Sequence, residues 1–389
     1  MNKPSSTIGA ECLKVGLVFD DSLDRVDGVS QYVRAAGAWL ASHGHEVHYL
    51  VGETAMLSWA GGKVHSLSRN FKVSANRNRV ATPLPADRRR IKELLDSERF
   101  DVLHVQMPYS PWMAHRVIKL ASPTTAVVGT FHILPAGHVI SFGSKVLRGV
   151  VRRSLKRFDK FLAVSPAAAA FARKSFGRSF SVLPNMVDMA RFKATPTPMS
   201  ASPTRIIFLG RLVPRKGALE LLRAFNLLHQ KLPQANLIIG GSGAELPALK
   251  RFVAKHKLGS SVKFLGYIEE ADKASLLASA DIACFPSTGA ESFGIVLIEA
   301  MAAGAGVVLG GDNPGYRSVL GDQPKLLIEP RDSRQFAERL EELLTNKALA
   351  TKLHIWQLEH VKQYDVNQVM PQLLEVYHQA IAKRRSSKA

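Results

Sequence analysis

The run Ala194-Thr195-Pro196-Thr197-Pro198-Met199-Ser200-Ala201-Ser202-Pro203, with Arg205-Ile206-Ile207-Phe208-Leu209 close behind it, decides the fold. The first part carries three prolines and hardly a core residue, the composition of a semi-stiff linker. The second is an apolar run of strand length. On both sides of the linker such runs alternate with segments of helical period, the pattern of parallel sheets wrapped by helices. Before it the strand candidates are Lys14–Phe19, Glu46–Val51, Asp101–Val105, Ala126–Phe131 and Lys160–Val164, with a helix over Tyr32–Ser42. After it they are Arg205–Leu209, Ala235–Ile239, Val262–Phe264, Asp281–Phe285, Gly306–Leu309 and Lys325–Ile328, with a helix over Ala218–Gln230. The expected fold is α/β: two Rossmann-like doubly wound domains, residues 1–193 and 204–365, joined by a linker over 194–203. Residues 366–389 read as a C-terminal helix that packs back on the first domain and ends in a basic tail. Two such domains facing one another place a ligand cleft between the carboxyl ends of their strands.

At 389 residues the chain is too long for one compact core and suits two domains. Hydrophobic residues at 46% and charged ones at 22% exclude a disordered or coiled-coil chain. Cys12 and Cys284 have no zinc-type spacing and argue for a reducing, cytoplasmic setting. Met1 to Lys14 does not read as a secretory signal, and the uncharged stretch Leu120 to Ser144 carries two prolines and is not a membrane span. The formal net charge is +20, and the first 200 residues hold 28 basic against 14 acidic side chains. Such a field attracts phosphates without choosing among nucleotides, nucleic acid and anionic lipid. With no zinc-finger spacing, basic zipper or aromatic-basic repeat, nucleic acid is not expected as a partner.

The stretch Pro286-Ser287-Thr288-Gly289-Ala290-Glu291-Ser292-Phe293-Gly294, continuing as Ile295-Val296-Leu297-Ile298-Glu299-Ala300-Met301-Ala302-Ala303-Gly304, carries the densest chemical signal. From Ile295 to Ala303 every residue but Glu299 is apolar, so the helix is buried on nearly all sides. A carboxylate there costs several kcal/mol unless it is paired, and no sequence neighbour can pair with it. Glu299 is either a ligand hydroxyl contact or a structural carboxylate capping another element. Glu291 lies just before the helix start, where the N–H groups of Phe293, Gly294 and Ile295 offer an anion seat. Taken alone, Glu291 is also a fair N-terminal capping residue. A second cluster, Gly210-Arg211-Leu212-Val213-Pro214-Arg215-Lys216-Gly217, follows a strand and precedes a helix. Cations there suit a diphosphate that gains charge as a bond breaks, while Arg215 also reads as solvated surface. Gly240-Gly241-Ser242-Gly243 and Asp27-Gly28 are glycine-bearing strand exits that let a ligand come close, and the full dinucleotide fingerprint is absent from the first of the chain's loops.

Together these residues resemble the retaining, nucleotide-sugar-dependent glycosyltransferases of family 4, with the two-domain GT-B architecture. The most specific element is the family's pair of glutamates with seven residues between them, here Glu291 and Glu299. Within the family the chain resembles the subgroup that mannosylates phosphatidylinositol, through Gly129-Thr130-Phe131-His132, Arg215-Lys216-Gly217 and Gly289-Ala290-Glu291-Ser292-Phe293-Gly294. The resemblance implies a hexose transferred from a nucleotide diphosphate sugar, of GDP-mannose or UDP-glucose type, to a glycolipid, phospholipid or glycan hydroxyl. It implies that Glu291 holds donor-sugar hydroxyls, that Glu299 holds the nucleotide ribose, that Arg211 and Lys216 bind the diphosphate and that His132 lies at the reacting sugar. By the same carry-over Gly28, Gly241, Ile268, Phe293, Gly294 and Ile295 line the donor. It departs from the family at Asp27, where a glycine is common, and at Met186 in Pro184-Asn185-Met186-Val187-Asp188.

No cofactor and no metal are expected, the nucleotide sugar being a co-substrate; Asp20-Asp21 looks like a metal pair but lacks matching partners in sequence. The competing readings are a sugar-nucleotide epimerase or phosphorylase of the same architecture, and a non-catalytic scaffold. The last partner expected is an anionic membrane surface, with the protein peripheral at its cytoplasmic face. On a helix over Ser144 to Lys160, Leu147, Val151, Leu155 and Phe158 share one side while Lys145, Arg148, Arg152, Lys156 and Lys160 follow another.

Overall fold

The computed structural model describes residues 12–386 apart from 25–26, 69, 76–77, 84–85, 109, 135–148, 150 and 193–203. The expected linker therefore lies outside the described residues, as do Lys145, Leu147 and Arg148 of the basic helix. Contacts divide the chain into two units. One holds residues up to Phe131, Ser144–Leu162 and Met370–Ala389, and the other holds His132–Gly143 and Ala163–Val369.

The strands in chain order are β1 (Lys14–Phe19), β2 (Glu46–Val51), β3 (Ser58–Trp59), β4 (Gly62–Ser66), β5 (Asn70–Ala75), β6 (Asn78–Pro83), β7 (Val102–Gln106), β8 (Ala126–Phe131), β9 (Lys160–Ala163) and β10 (Ser181–Val182). They continue as β11 (Arg205–Leu209), β12 (Asn236–Gly240), β13 (Val262–Gly266), β14 (Ile282–Phe285), β15 (Val307–Gly311) and β16 (Leu327–Ile328). The first sheet runs β10-β9-β8-β7-β1-β2-β4-β3, with β5 and β6 a separate hairpin. Its central strands β1, β2, β7 and β8 pair in parallel and are buried along almost their whole length. Such strands lie between two helical layers, so their sequences are continuous apolar runs.

The C-terminal helix Val366–Ser386 is tied into the first unit by polar groups as well as packing. The Tyr377 hydroxyl lies 2.7 Å from His104 Nδ1, and His104 Nε2 lies 2.7 Å from Thr130 Oγ1. Arg384 pairs with Asp159 at 2.6 Å, and Lys383 donates to the Asp159 carbonyl. Asp159 also accepts from the Val127 amide, so it joins β8 to the helix. In the described part of the basic helix, Val151, Leu155 and Phe158 are buried while Arg152, Arg153 and Lys156 are exposed. The apolar side faces the protein. Arg157 turns inward, donating to the carbonyls of Ser122 and Thr125.

The second sheet runs β13-β12-β11-β14-β15-β16 with its five strand pairings all parallel. Strand order therefore reverses between β11 and β14. Helices leaving these two strands go to opposite faces of the sheet, which opens a crevice at their carboxyl ends where ligands of such folds bind. Both motifs singled out in the sequence leave from those ends: the basic loop follows β11, and Pro286 to Glu291 follow β14.

Candidate active site

After β11 the chain turns through a short 3-10 helix, Pro214–Lys216, and enters the helix Ala218–Lys231. Gly217 has φ +75°, and a Cβ there would come 1.9 Å from the Pro286 carbonyl oxygen. The two loops are thus in backbone contact, and the Thr288 amide donates to the Arg215 carbonyl at 2.9 Å. Across from them, Gly289 and Ala290 both take positive φ, at 148° and 57°. For alanine this is a strained conformation, held by the surroundings. It sets Glu291 pointing back at the basic loop.

Arg215 Nη1 lies 2.6 Å, Lys216 Nζ 2.8 Å and the Ser287 hydroxyl 2.8 Å from Glu291 Oε1. All three partners meet the same oxygen, which leaves Oε2 with lone pairs for a hydroxyl donor. Burial pushes the Glu291 carboxyl up, but Lys216 and Arg215 outweigh it and hold the group below the ordinary carboxylate range. Burial also lowers the Lys216 ammonium, opposed by Glu291 and assisted by Arg215. The site is a compact ion cluster with Glu291 ionised. Arg211 is exposed at the start of the same loop and close enough to Lys216 to lower it further.

Gly294 precedes the helix Ile295–Ala302 with φ +111°, and no side chain caps that helix. Its first N–H groups remain available to an anion. A Cβ at Gly294 would come within 2.6 Å of the Tyr316 ring, so only glycine fits there. Phe293 is buried beside it against Tyr364. Gly241 follows β12 with φ +132°, and a Cβ there would strike the Gly210 carbonyl oxygen at 1.9 Å. Ile268 is half-buried and packs on Gly240. Gly210, Gly241 and Ile268 thus line the strand ends beside the ion cluster.

Glu299 has a partner that the sequence reading missed. Lys273, on the helix Glu270–Ala278, lies 3.0 Å from Glu299 and 2.8 Å from Glu270. Lys273 is itself buried, and its pKa is raised: burial lowers it, and the two carboxylates override. The requirement that a buried carboxylate be paired was the one available signal. Arg215 is likewise placed by the structure in the ion cluster rather than on solvated surface. Asp20 is not half of a metal pair: its carboxylate accepts from the Ala114 amide at 2.7 Å and from the Ser110 hydroxyl, capping the helix Met113–Leu120.

Gly28 belongs to the first unit, where it opens the helix Gly28–Ser42. Asp27 before it forms a capping box: its carboxylate accepts from Val29 and Ser30 amides, and the Ser30 hydroxyl accepts from the Asp27 amide. His132 is buried just beyond β8, and burial pushes its imidazole down to about 3. It is neutral at physiological pH.

Residues 195–355 match the family described as glycosyl transferases group 1, and residues 26–191 match the family described as Glycosyltransferase Family 4. Phosphatidyl-myo-inositol mannosyltransferase of Mycolicibacterium smegmatis is 32% identical over 375 residues, covering 94% of this chain and 93% of that protein. The chain belongs to family 4 of the glycosyltransferases. A further relative of this family 4 glycosyltransferase, 27% identical over 85% of the chain and 88% of the relative, is the GDP-mannose-dependent monoacylated alpha-(1-6)-phosphatidylinositol monomannoside mannosyltransferase of Corynebacterium glutamicum. Among solved structures, Anabaena HepE in complex with UDP and glucose superposes with TM-score 0.75 at 19% identity, over 94% of this chain and 99% of that one. That likeness establishes the fold, which is GT-B. In this family 4 enzyme the two glutamates are both buried and both ion-paired, Glu291 with Arg215 and Lys216 and Glu299 with Lys273.

Proposed function

We propose that the enzyme moves mannose from GDP-mannose onto a hydroxyl of a phospholipid or glycolipid acceptor, with retention of anomeric configuration. The observation that carries this reading is the Arg215–Lys216–Glu291 cluster at the β11/β14 strand-order reversal, where Arg215, Lys216 and the Ser287 hydroxyl all meet Glu291 Oε1. The mannosyl donor is favoured over a UDP-glucose type by the names of the relatives.

Breaking the bond between sugar and diphosphate builds negative charge on the phosphate and positive charge on the sugar carbon. Lys216, Arg211 and the uncapped start of the helix Ile295–Ala302 supply fixed positive potential for the first. Ionised Glu291 accepts hydroxyls of the donor sugar through Oε2, which orients the ring. Glu299, held by Lys273, accepts from the nucleotide ribose. Neutral His132 gives or takes one hydrogen bond at the reacting sugar without adding charge. The donor's own phosphate takes the acceptor proton, so no nucleophile from the protein is needed, and cations do the work that a divalent metal does in other sugar transferases.

A lipid acceptor is met at an anionic membrane surface on the cytoplasmic side; among the described residues no helix is long and apolar enough to cross a membrane. The test is incubation of the purified protein with a panel of nucleotide sugars and lipid extract, with and without chelator, and identification of products by mass. A lipid heavier by one hexose, formed from GDP-mannose at an unchanged rate in chelator, is expected. Turnover of nucleotide sugar without acceptor, or a rate restored only by magnesium, would overturn it.

A further inference from the structure

In the first unit two imidazoles and two carboxylates converge. His48 stands on β2 and His65 on β4, brought together by a parallel register that sets Leu50 opposite His65 and His48 opposite Lys63. The rings stack with centroids 5.1 Å apart, and His48 Nδ1 lies 2.9 Å from His65 Nε2. On its other side His48 Nε2 lies 3.0 Å from Glu46 Oε1 and 3.6 Å from Glu98 Oε2. His48 is wholly buried, while His65 and Glu98 are half-buried, so the group can be reached from solvent.

We infer that His48, His65 and Glu98 form a binding site for a zinc-class divalent transition ion. Their ligand atoms lie within 4.8 Å of one another. Ligands about 2.0 to 2.2 Å from a tetrahedral zinc are themselves about 3.3 Å apart, so the two imidazoles part slightly and Glu98, now nearer the Nε2 edge of His48, swings toward Nδ1 to close the site. The two facing nitrogens must share a single proton when empty; an ion replaces it and lets them separate by a few tenths of an ångström. Glu46 supplies the second shell. As acceptor for the His48 Nε2–H it fixes the tautomer whose Nδ1 lone pair points at His65, the carboxylate–histidine–metal arrangement. Two imidazoles and one carboxylate select a borderline transition ion over magnesium or calcium, which prefer oxygen ligands. Glu98 ends the helix Arg88–Glu98, where the carbonyl end of the helix dipole also favours a cation. Lys14, 3.0 Å from both Glu46 and Glu98, opposes the ion. One Glu98 oxygen therefore has to leave Lys14, which remains paired with Glu46. The ligands come from two neighbouring strands and one helix of the first unit, so the ion's effect is to fasten those elements together.

The full chain, stripped with chelator and dialysed, is titrated with Zn(II) alone by calorimetry and with Co(II) alone by visible absorption. One zinc per chain, an intense low-coordinate cobalt band and a melting temperature several degrees higher at a hundredfold excess over Kd are expected. His65→Ala should abolish the cobalt band, Glu98→Gln should weaken zinc at least tenfold, and Glu46→Gln should weaken it roughly tenfold through the second shell. The chain has 13 histidines, so stray binding is controlled by these variants. Failure of zinc to bind, or binding unchanged in both Glu98→Gln and His65→Ala, overturns the site; if His65→Ala does not fold, Glu98→Gln decides.

Discussion

Glu291→Gln keeps the shape of the side chain, removes its charge and leaves Arg215 and Lys216 facing each other without their shared anion. Removing one partner of a fully buried ion pair costs about 3 to 5 kcal/mol. The Arg215 and Lys216 side chains are 30% and 19% exposed, so solvent screening brings the expected cost to about 2 kcal/mol. The variant still folds and melts several degrees lower. For transfer, the ionised acceptor of the donor hydroxyls is lost, and a hydrogen bond to a charged group is worth about 1.5 to 3 kcal/mol. At 1.36 kcal/mol per tenfold this lowers turnover roughly ten- to a hundredfold. Binding of free nucleoside diphosphate should instead tighten, because Glu291 no longer neutralises the cations. The carboxyl is held below its usual 4.5, so its stabilising contribution is complete above that pH and is lost as pH falls through the lower folded value. The variant should lack this acid-side decline. The assays are nucleoside diphosphate release at saturating donor, calorimetry with the diphosphate, and thermal melts across pH. An unchanged melting temperature refutes the ion cluster, and a stable variant turning over within twofold of the parent refutes donor contact.

Lys216→Ala and Arg211→Ala should each weaken nucleoside diphosphate binding more than monophosphate binding, since their charge serves the distal phosphate; equal losses by calorimetry would make the loop ordinary surface. Glu299→Gln strands Lys273 beside a single remaining carboxylate, so nucleotide binding weakens and the second unit melts lower, read by titration and calorimetric scans. Asp20 is fully enclosed, and burial pushes its carboxyl up from 3.8 to about 6. The fold favours the protonated form, so this contribution is complete below 3.8 and is lost as pH rises through about 6. Asp20→Asn, which can still accept from Ala114, should raise the melting temperature at neutral pH and flatten the slope between those values.

Strands buried on both faces read most sharply, because there the apolar run is unbroken: β1, β2, β7, β8, β11 and β14 read correctly to within a residue or two, and the partly exposed β9, β12 and β13 read as well. Strands β3 to β6 did not, since two residues of Ser58–Trp59 and the mixed Gly62–Ser66 carry no period strong enough to stand out. Helices announced themselves less well at their starts. Asp27 read as a departure from a family glycine, yet its chemistry is that of a capping box, and the helix begins four residues before the expected Tyr32. For the site the limit was different in kind. The two glutamates were evident from their setting, but the partners of each were not, because Arg215 and Lys273 reach them only through the order of strands in the sheet. Sequence spacing reports local period, and Glu291 lies 76 positions after Arg215, with three complete strands between them. What the sequence does dictate is that a buried carboxylate has a partner, so Glu299 implied one that its neighbours in sequence could not name. On the proposed function the same reasoning says what a ligand would have to do: Lys216 is already paired with Glu291, so a diphosphate would enter by exchange of partners, and the carboxylate it released would be the one proposed to meet the sugar.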